Sequence, residues 1–309
     1  MKKVLVTGGA GFIGSNLIPL LIEKGYFVTV LDNLSSGKIE NLNRVKNSPN
    51  FKLICGDIRN KADVSNALNE VETIVHLAAI IDVSESVKNP SLVHDVNVTG
   101  TLNVLNEVIK IGVNKIVFAS STSVYGDVKT LPIKENTPLH PISPYAASKA
   151  ASEAYLTAFS HCYNIDTIAL RFFNVYGPRN ENSPYSGVIS KFLKKALNSQ
   201  PLTIEGDGEQ NRDFIHVNDI IQALFNSVEA SNLRGEVFNV CTGKPTSINQ
   251  LTEALSIVLN KKLKIKYGCA RVGDIKYSYG ETIRAKEKLN FQAKTSLIQG
   301  LTLLLEENK

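Results

Sequence analysis

The chain has 309 residues, 43% hydrophobic and 20% charged, with 20 Gly and 11 Pro. That balance excludes a disordered or collagen-like chain, and the length is enough to bury a full core in one or two domains. Lys and Arg exceed Asp and Glu by 34 − 29 = 5, with no basic cluster of the kind a nucleic-acid partner needs, and no apolar run reaches the roughly 18 residues of a membrane helix.

The first residues, MKKVLVTGGAGFIGS, put two lysines before an apolar run. That run stops at Thr7-Gly8-Gly9, too short for the core of a signal peptide. Lys3–Thr7 reads as a buried strand. Gly8-x-x-Gly11-x-x-Gly14 follows it and opens a predicted helix over Phe12–Lys24. Glycines at that spacing permit a tight turn and the approach of a pyrophosphate to a helix N-terminus, although ordinary turns also use glycine. Pro19 falls inside the helix and predicts a distortion near Ser15. Phe27–Leu31 is the second strand. Asp32 ends it, 18 positions after Gly14, where an acid accepts hydrogen bonds from an adenosine ribose and repels a 2′-phosphate. NAD is therefore expected rather than NADP. Lys52–Cys55 is the third strand, closed by Asp57-Ile58, a place from which adenine can be reached. Asp57 reads equally as a turn or cap acid.

Thr73–Leu77, Lys115–Ala119 and Asp166–Leu170 are further short apolar runs. Between them, Leu92–Ile109 places Val93, Val96, Val98, Leu102, Leu105 and Ile109 near helical spacing. Strands alternating with helices make βαβ units, a parallel sheet with right-handed crossovers and helices on both faces. The expected fold class is α/β, a Rossmann-type doubly wound sheet. Tyr145-x-x-x-Lys149 puts a phenol and an ammonium on one helix face. The cation should lower the tyrosine pKa toward that of a working base. The hydroxyl-rich segment Phe118–Gly126 follows a strand, which sets it at the carboxyl edge of the sheet where ligands bind. After about Asn174 glycine and proline recur, and helical patterns at Val188–Leu197, Val217–Val228, Ile248–Leu259 and Ser296–Glu306 alternate with short strands. This texture predicts a smaller mixed α/β substrate lobe. Cys55, Cys162, Cys241 and Cys269 show no metal spacing, so no metal is expected, and they read as buried reduced thiols.

The motifs TGGAGFIGS, HLAA, SSTSVYG, YAASK, RFFNVYGP, GDGEQNRDFIHVND and RVGD occur in that order. Together they resemble the extended short-chain dehydrogenase/reductases that act on nucleotide sugars, and within these the UDP-hexose 4-epimerases. The resemblance runs from about Val4 to Leu305. It implies Tyr145 as catalytic base and acid, Lys149 as holder of the nicotinamide ribose, and Ser121 as a bridge to the sugar 4-oxygen. For NAD it implies Phe12 and Ile13 beside the three glycines, and Asn33, Ser35, Ser36 and Gly37 after Asp32. Further cofactor positions are Asp57, Ile58, Leu77, Ala78, Ala79, Asn97, Ser120 and Phe172. For the UDP-sugar it implies Ser121, Thr122, Ser123 and Tyr145, then Asn174, Val188 and Thr203. Arg212 and Arg271 are implied at the diphosphate, a role suited to bidentate guanidinium geometry, with Asp274 at the uridine ribose and Ser278 at the sugar. Glu205 stands where relatives usually carry an aromatic that packs on the base. A small residue at Ser278 implies that N-acetylated hexoses are admitted too.

Sister enzymes that dehydrate carry an Asp-Glu pair after the catalytic hydroxyl, and decarboxylases carry a Glu near it. Thr122 and Ser123 supply neither. The implied function is NAD-dependent 4-epimerisation of UDP-glucose/UDP-galactose and of UDP-GlcNAc/UDP-GalNAc through a 4-keto sugar. The alternatives are another NAD-dependent nucleotide-sugar enzyme or a non-catalytic nucleotide sensor. Residues 1–177 and 213–243 are expected to form the NAD-binding domain, and 178–212 and 244–309 the nucleotide-sugar lobe, with the active site in a cleft between them. The resemblance further implies a cytoplasmic homodimer, associating through helices near Leu92–Ile109 and Tyr145–Tyr163.

Overall fold

The structure, a computed structural model, describes residues 1–179, 187–270 and 275–307. The chain packs as two compact units. The first comprises Met1–Gly126, Pro138–Phe172 and Ile221–Phe238, and the second Asp127–Thr137, Phe173–Ile220 and Asn239–Lys309.

In the first unit, β1 (Lys3–Thr7), α1 (Phe12–Glu23), β2 (Phe27–Asp32), β3 (Phe51–Cys55), α2 (Lys61–Ala67) and β4 (Thr73–His76) come first. They are followed by α3 (Val83–Lys88), α4 (Pro90–His94), α5 (Gly100–Ile111), β5 (Lys115–Ser121), α6 (Pro144–Tyr163) and β6 (Asp166–Phe172). The second unit begins with β7 (Asn174–Tyr176), α7 (Val188–Leu197), β8 (Leu202–Glu205), β9 (Asn211–Arg212) and β10 (Phe214–His216). The chain then returns to the first unit for most of α8 (Val217–Glu229) and β11 (Glu236–Val240), and ends in the second with β12 (Thr246–Ser247), α9 (Ile248–Val258), β13 (Ile265–Gly268), β14 (Tyr277–Ser278), α10 (Ile283–Leu289) and α11 (Leu297–Glu307).

A seven-stranded sheet runs in the order β11-β6-β5-β4-β1-β2-β3, and the pairings from β3 through β6 are all parallel. The near-continuous burial of β1, β2 and β5 is what a sheet covered on both faces demands. On one face Leu5, Leu31, Ile74, Ile116 and Phe118 pack with Val104, Leu105 and Val108 of α5. Each such side chain, fully buried, contributes about 1.5–3 kcal/mol. The order reverses between β1 and β4, and ligands of such sheets bind beyond the carboxyl ends of the strands at this reversal.

α1 continues unbroken through Pro19. The predicted helix over Leu92–Ile109 is instead three pieces, α4, a π turn at Asp95–Thr99, and α5. A π turn takes an extra residue into the helical ladder, and it recurs at functional sites. α6 starts cleanly because Ser143 Oγ accepts from the Ala146 N–H at 3.1 Å and Pro144 occupies the first turn. In the second unit, Ile189, Phe192, Leu251, Leu255 and Leu301 build a separate core. Of the four cysteines expected to be buried, only Cys241 is; Cys55 at the end of edge strand β3, Cys162 in the last turn of α6 and Cys269 just after β13 are exposed. Among the described residues no helix is long and apolar enough to cross a membrane.

Candidate active site

The carboxyl edge of β1 and β4 is built by close backbone packing. Gly8 has φ +70°, and a Cβ on it would lie 2.7 Å from the Ala78 nitrogen. A Cβ on Gly14 would lie 2.6 Å from Gly9 Cα and 2.7 Å from the Gly8 carbonyl oxygen. At Gly11 only the Gly8 oxygen comes near, at 3.2 Å. Gly11 caps α1 with no side chain on the helix end and no acid in the first turn, where Phe12 and Ile13 begin the helix. The positive end of the helix dipole is thus left to an incoming anion.

Asp32 closes this loop. Its Oδ2 accepts from the Ala10 N–H at 2.9 Å and its Oδ1 from Leu34 N–H at 2.8 Å. Burial pushes its pKa up, and the two backbone donors oppose that. The following turn is held by Asn33, whose Oδ1 accepts from Ser35 N–H at 3.0 Å. Ser36 follows, and Gly37 packs on Ala10 with no room for a Cβ. Asp57 lies beyond the end of β3 and is committed elsewhere: Arg59 Nη2 donates to it at 2.7 Å and Asn33 Nδ2 at 2.8 Å. The Arg59 guanidinium holds its pKa at about 2. Its contacts within the protein are those of a turn acid. Ile58 is buried against Gly100.

A second layer lies behind the glycine loop. His76 ends β4 fully buried. Its Nδ1 is 2.6 Å from Thr7 Oγ1 and its Nε2 3.0 Å from Thr101 Oγ1. Thr101 Oγ1 donates to the Asn97 carbonyl at 2.5 Å, so it accepts from His76 Nε2–H, and Nδ1 accepts from Thr7. Burial lowers the His76 pKa to about 3, so the ring is neutral. Thr7 Oγ1 also accepts from the Ala78 N–H at 3.2 Å, which places Leu77, Ala78 and Ala79 along the loop. Asn97, centre of the π turn, exchanges hydrogen bonds with both backbone groups of Ile80 at 2.8 and 2.9 Å and donates to Ser148 Oγ at 2.9 Å.

The chemical centre joins β5 to α6. Ser121 ends the strand, and its Oγ accepts from the Ser123 N–H at 3.2 Å, turning Thr122–Tyr125 into a single 3-10 turn. The Ser121 hydroxyl is the polar neighbour of the buried Tyr145 phenol. Burial raises the phenol pKa and Ser121 opposes it. This corrects the expectation that Lys149 lowers it in the protein alone. The Lys149 ammonium donates to the Ala119 carbonyl at 2.8 Å and lies 4.8 Å from the centre of the Phe118 ring. Desolvation brings its pKa down to about 8, with Glu153 pulling the other way. Ser123 Oγ is buried with no hydrogen-bond partner in the protein.

Sequence reasoning missed the next turn of α6. Glu153, four residues after Lys149, is paired with Arg171 on β6: Nη2 donates to Oε2 at 2.6 Å and Nε to Oε1 at 3.0 Å. Ser120 Oγ donates to Glu153 as well, and Arg171 Nη1 donates to the Tyr125 hydroxyl at 2.8 Å. The i, i+4 spacing in YAASKAASE was the available signal. Phe172 ends β6 buried.

In the second unit Asn174 on β7 donates through its backbone to the Asp213 carbonyl at 3.0 Å. The buried Asp213 carboxylate accepts from Thr242 N–H and Gly243 N–H, each at 2.8 Å. It thereby fixes the strand end carrying Arg212. Arg212 and Ser278 are register partners across β9 and β14. Arg212 Nη1 donates to the carbonyls of Asn211 at 2.8 Å and Ile275 at 2.6 Å, so it is half-buried and held rather than a solvated surface residue. Val188 opens α7. Thr203 and Glu205 share the exposed face of β8. Arg271 and Asp274 lie outside the described residues. Among the described residues no group of His, Cys, Asp or Glu has the arrangement of a metal site.

Residues 5–304 match the family described as GDP-mannose 4,6 dehydratase. The UDP-glucose 4-epimerase of Mycolicibacterium smegmatis is 38% identical over 307 residues, covering 98% of this chain and 97% of its own. A UDP-N-acetylglucosamine 4-epimerase from Methanobrevibacter ruminantium M1, solved with UDP-N-acetylmuramic acid, superposes with TM-score 0.93 at 40% identity over 99% of both chains. The UDP-glucose 4-epimerase of Thermus thermophilus, solved with NAD, gives TM-score 0.88 at 33% identity over 98% of both.

Proposed function

This chain belongs to the GDP-mannose 4,6 dehydratase family, and from that premise we propose that it interconverts the 4-epimers of a UDP-hexose with NAD as its cofactor. The observation that carries this reading is the meeting of Ser121, Tyr145 and Lys149 at the carboxyl end of β5. The glycine cradle of α1 and the buried Asp32 fit a dinucleotide: backbone stands open to a pyrophosphate and an acid stands where the ribose hydroxyls fall. Phe12, Ile13, Asn33, Ser35, Ser36, Gly37, Ala78 and Phe172 are proposed as further contacts of the dinucleotide.

NAD, when bound, supplies the acceptor and donor of the hydride at sugar C4. Tyr145 takes the proton of the 4-hydroxyl and returns it after the 4-keto sugar has turned. Ser121 hydrogen-bonds both the phenol and the 4-oxygen, which keeps proton donor and acceptor within reach. Lys149 swings no charge onto the phenol by itself; its role is to hold the nicotinamide ribose beside Tyr145. Thr122 and Ser123 orient the sugar. Neither is a carboxylate, so the elimination that defines a dehydratase has no acid and base here. Asn174, Val188, Thr203, Arg212 and Ser278, with Arg271 and Asp274, bind the nucleotide and diphosphate, leaving the sugar free to rotate. Small Ser278, strand partner of Arg212, fits an N-acetyl group, so UDP-GlcNAc/UDP-GalNAc are substrates as well as UDP-glucose/UDP-galactose.

The protein is proposed to be a cytoplasmic homodimer. Exposed Leu92, Tyr155 and Tyr163 on α4 and α6 support association through those helices, and three exposed free thiols support a reducing compartment. Incubation with UDP-glucose, UDP-GlcNAc and UDP-glucuronate, followed by NMR of the products, tests the activity. C4-inverted sugars with retained C5 and C6 protons are expected; a 4-keto-6-deoxy sugar, a pentose or no turnover overturns the reading.

A further inference from the structure

Glu153 is buried, 4% exposed, on the same face of α6 as Lys149 and Tyr145. A carboxylate is rarely buried without a task. Here it makes three links. It receives the Ser120 hydroxyl, it pairs bidentately with Arg171, and through Arg171 it reaches the Tyr125 hydroxyl. Arg171 also stacks over the Tyr125 ring, 4.6 Å from its centre. Ser120 lies between Ala119, whose carbonyl holds the Lys149 ammonium, and Ser121, the hydroxyl neighbour of the Tyr145 phenol. Tyr125 ends the turn that Ser121 begins. One carboxylate therefore ties both ends of the Ser120–Tyr125 segment to the helix bearing Tyr145 and Lys149.

We propose that Glu153 is a positioning residue: with Arg171 it sets the Ser120–Tyr125 segment against α6 and places a buried carboxylate one helical turn from Lys149. This rests on the epimerase reading. The charged and titratable groups packed around the cluster are Tyr145 and Lys149 on α6, Arg171 on β6, Tyr125 after β5 and His76 at the end of β4, whose titration Lys149 opposes. Of these, Glu153 is the one that favours the ammonium of Lys149. Removing its charge moves Lys149 to lose its proton at lower pH, so the alkaline limb of activity moves down.

Three variants test this. Glu153→Gln keeps shape and removes charge, but leaves Arg171 buried and unpaired. The double variant Glu153→Met/Arg171→Met removes both charges, an exchange that buried ion pairs tolerate. Ser120→Ala cuts a single link. For whichever charge variant melts as the wild type does, kcat should fall about 10–100-fold with KM for the UDP-sugar nearly unchanged. The alkaline limb of kcat should shift to lower pH, and so should that of NAD affinity measured by calorimetry. Ser120→Ala should lower kcat several-fold and leave both limbs in place. Glu153→Asp, which retains charge, should restore the limbs. A folded charge variant with the wild-type limbs, or a Ser120→Ala protein with full kcat, overturns the proposal. The NAD readout does not need turnover: a wild type inert on every UDP-hexose would refute the epimerase reading, while unchanged limbs of NAD affinity would refute the role of Glu153.

Discussion

Tyr145 keeps its phenol in a place that opposes ionisation, and Ser121 is the neighbour that eases it. Removing only the hydroxyl should therefore leave fold and NAD binding intact. Tyr145→Phe should lower kcat by about 10²–10⁴-fold, measured on UDP-glucose with NAD affinity as control. Retained full activity would move the base to Ser121. The second residue-scale expectation concerns Ser278, set beside Arg212 by strand register. Ser278→Tyr should cut kcat/KM for UDP-GlcNAc at least tenfold relative to UDP-glucose, since a phenol ring fills the space of an N-acetyl group. An unchanged ratio in a competition assay removes Ser278 as the determinant.

At the level of elements, the glycine loop works by close approach, and its three glycines are not equivalent. Gly14→Ala drives a Cβ into backbone atoms at 2.6 and 2.7 Å and should cost about 1–3 kcal/mol of stability. Gly11→Ala meets a single oxygen at 3.2 Å; it should melt near the wild type and lose NAD affinity instead. Thermal melts beside NAD titrations check the split. The strands and helices that build this site were legible in the sequence because parallel strands are continuous apolar runs bounded by turns, as at Lys3–Thr7, and helices such as Val188–Leu197 repeat their apolar residues every three to four positions. The π turn at Asp95–Thr99 was not, because one inserted residue barely disturbs a helical pattern of Val96, Val98 and Leu102. Spacing put Tyr145 and Lys149 on one helix face, while their roles came only from the family resemblance of the motifs around them. The Glu153–Arg171 pair was not legible, since its partners are 18 residues apart and meet only through the pairing of β5 and β6 with α6 above them. Nor could spacing reveal that Lys149 rests on a carbonyl of β5 rather than on the phenol.

For the molecule as a whole, buried ionisable groups set its response to acid. His76 is neutral in the fold, with a pKa of about 3 against an ordinary 6.5. Its contribution is complete above about pH 6.5 and is lost as pH falls toward 3, because the unfolded chain takes up the proton first. The melting temperature should decline across that window, and His76→Gln, which keeps a donor and an acceptor without a titrating ring, should flatten the decline. A decline of equal slope in the variant assigns it to other groups. The division into two units has a consequence of another kind. Each is assembled from three separate stretches of chain, and the last stretch of the first unit ends at Phe238. A ribosome must release that far before the first unit has all its parts, and through α11 before Leu301 and Leu304 complete the core of the second. A premature stop anywhere upstream of Leu297 should therefore yield no active fragment. Splitting the gene at the boundary between the units is not available either, since no single cut in the chain separates them.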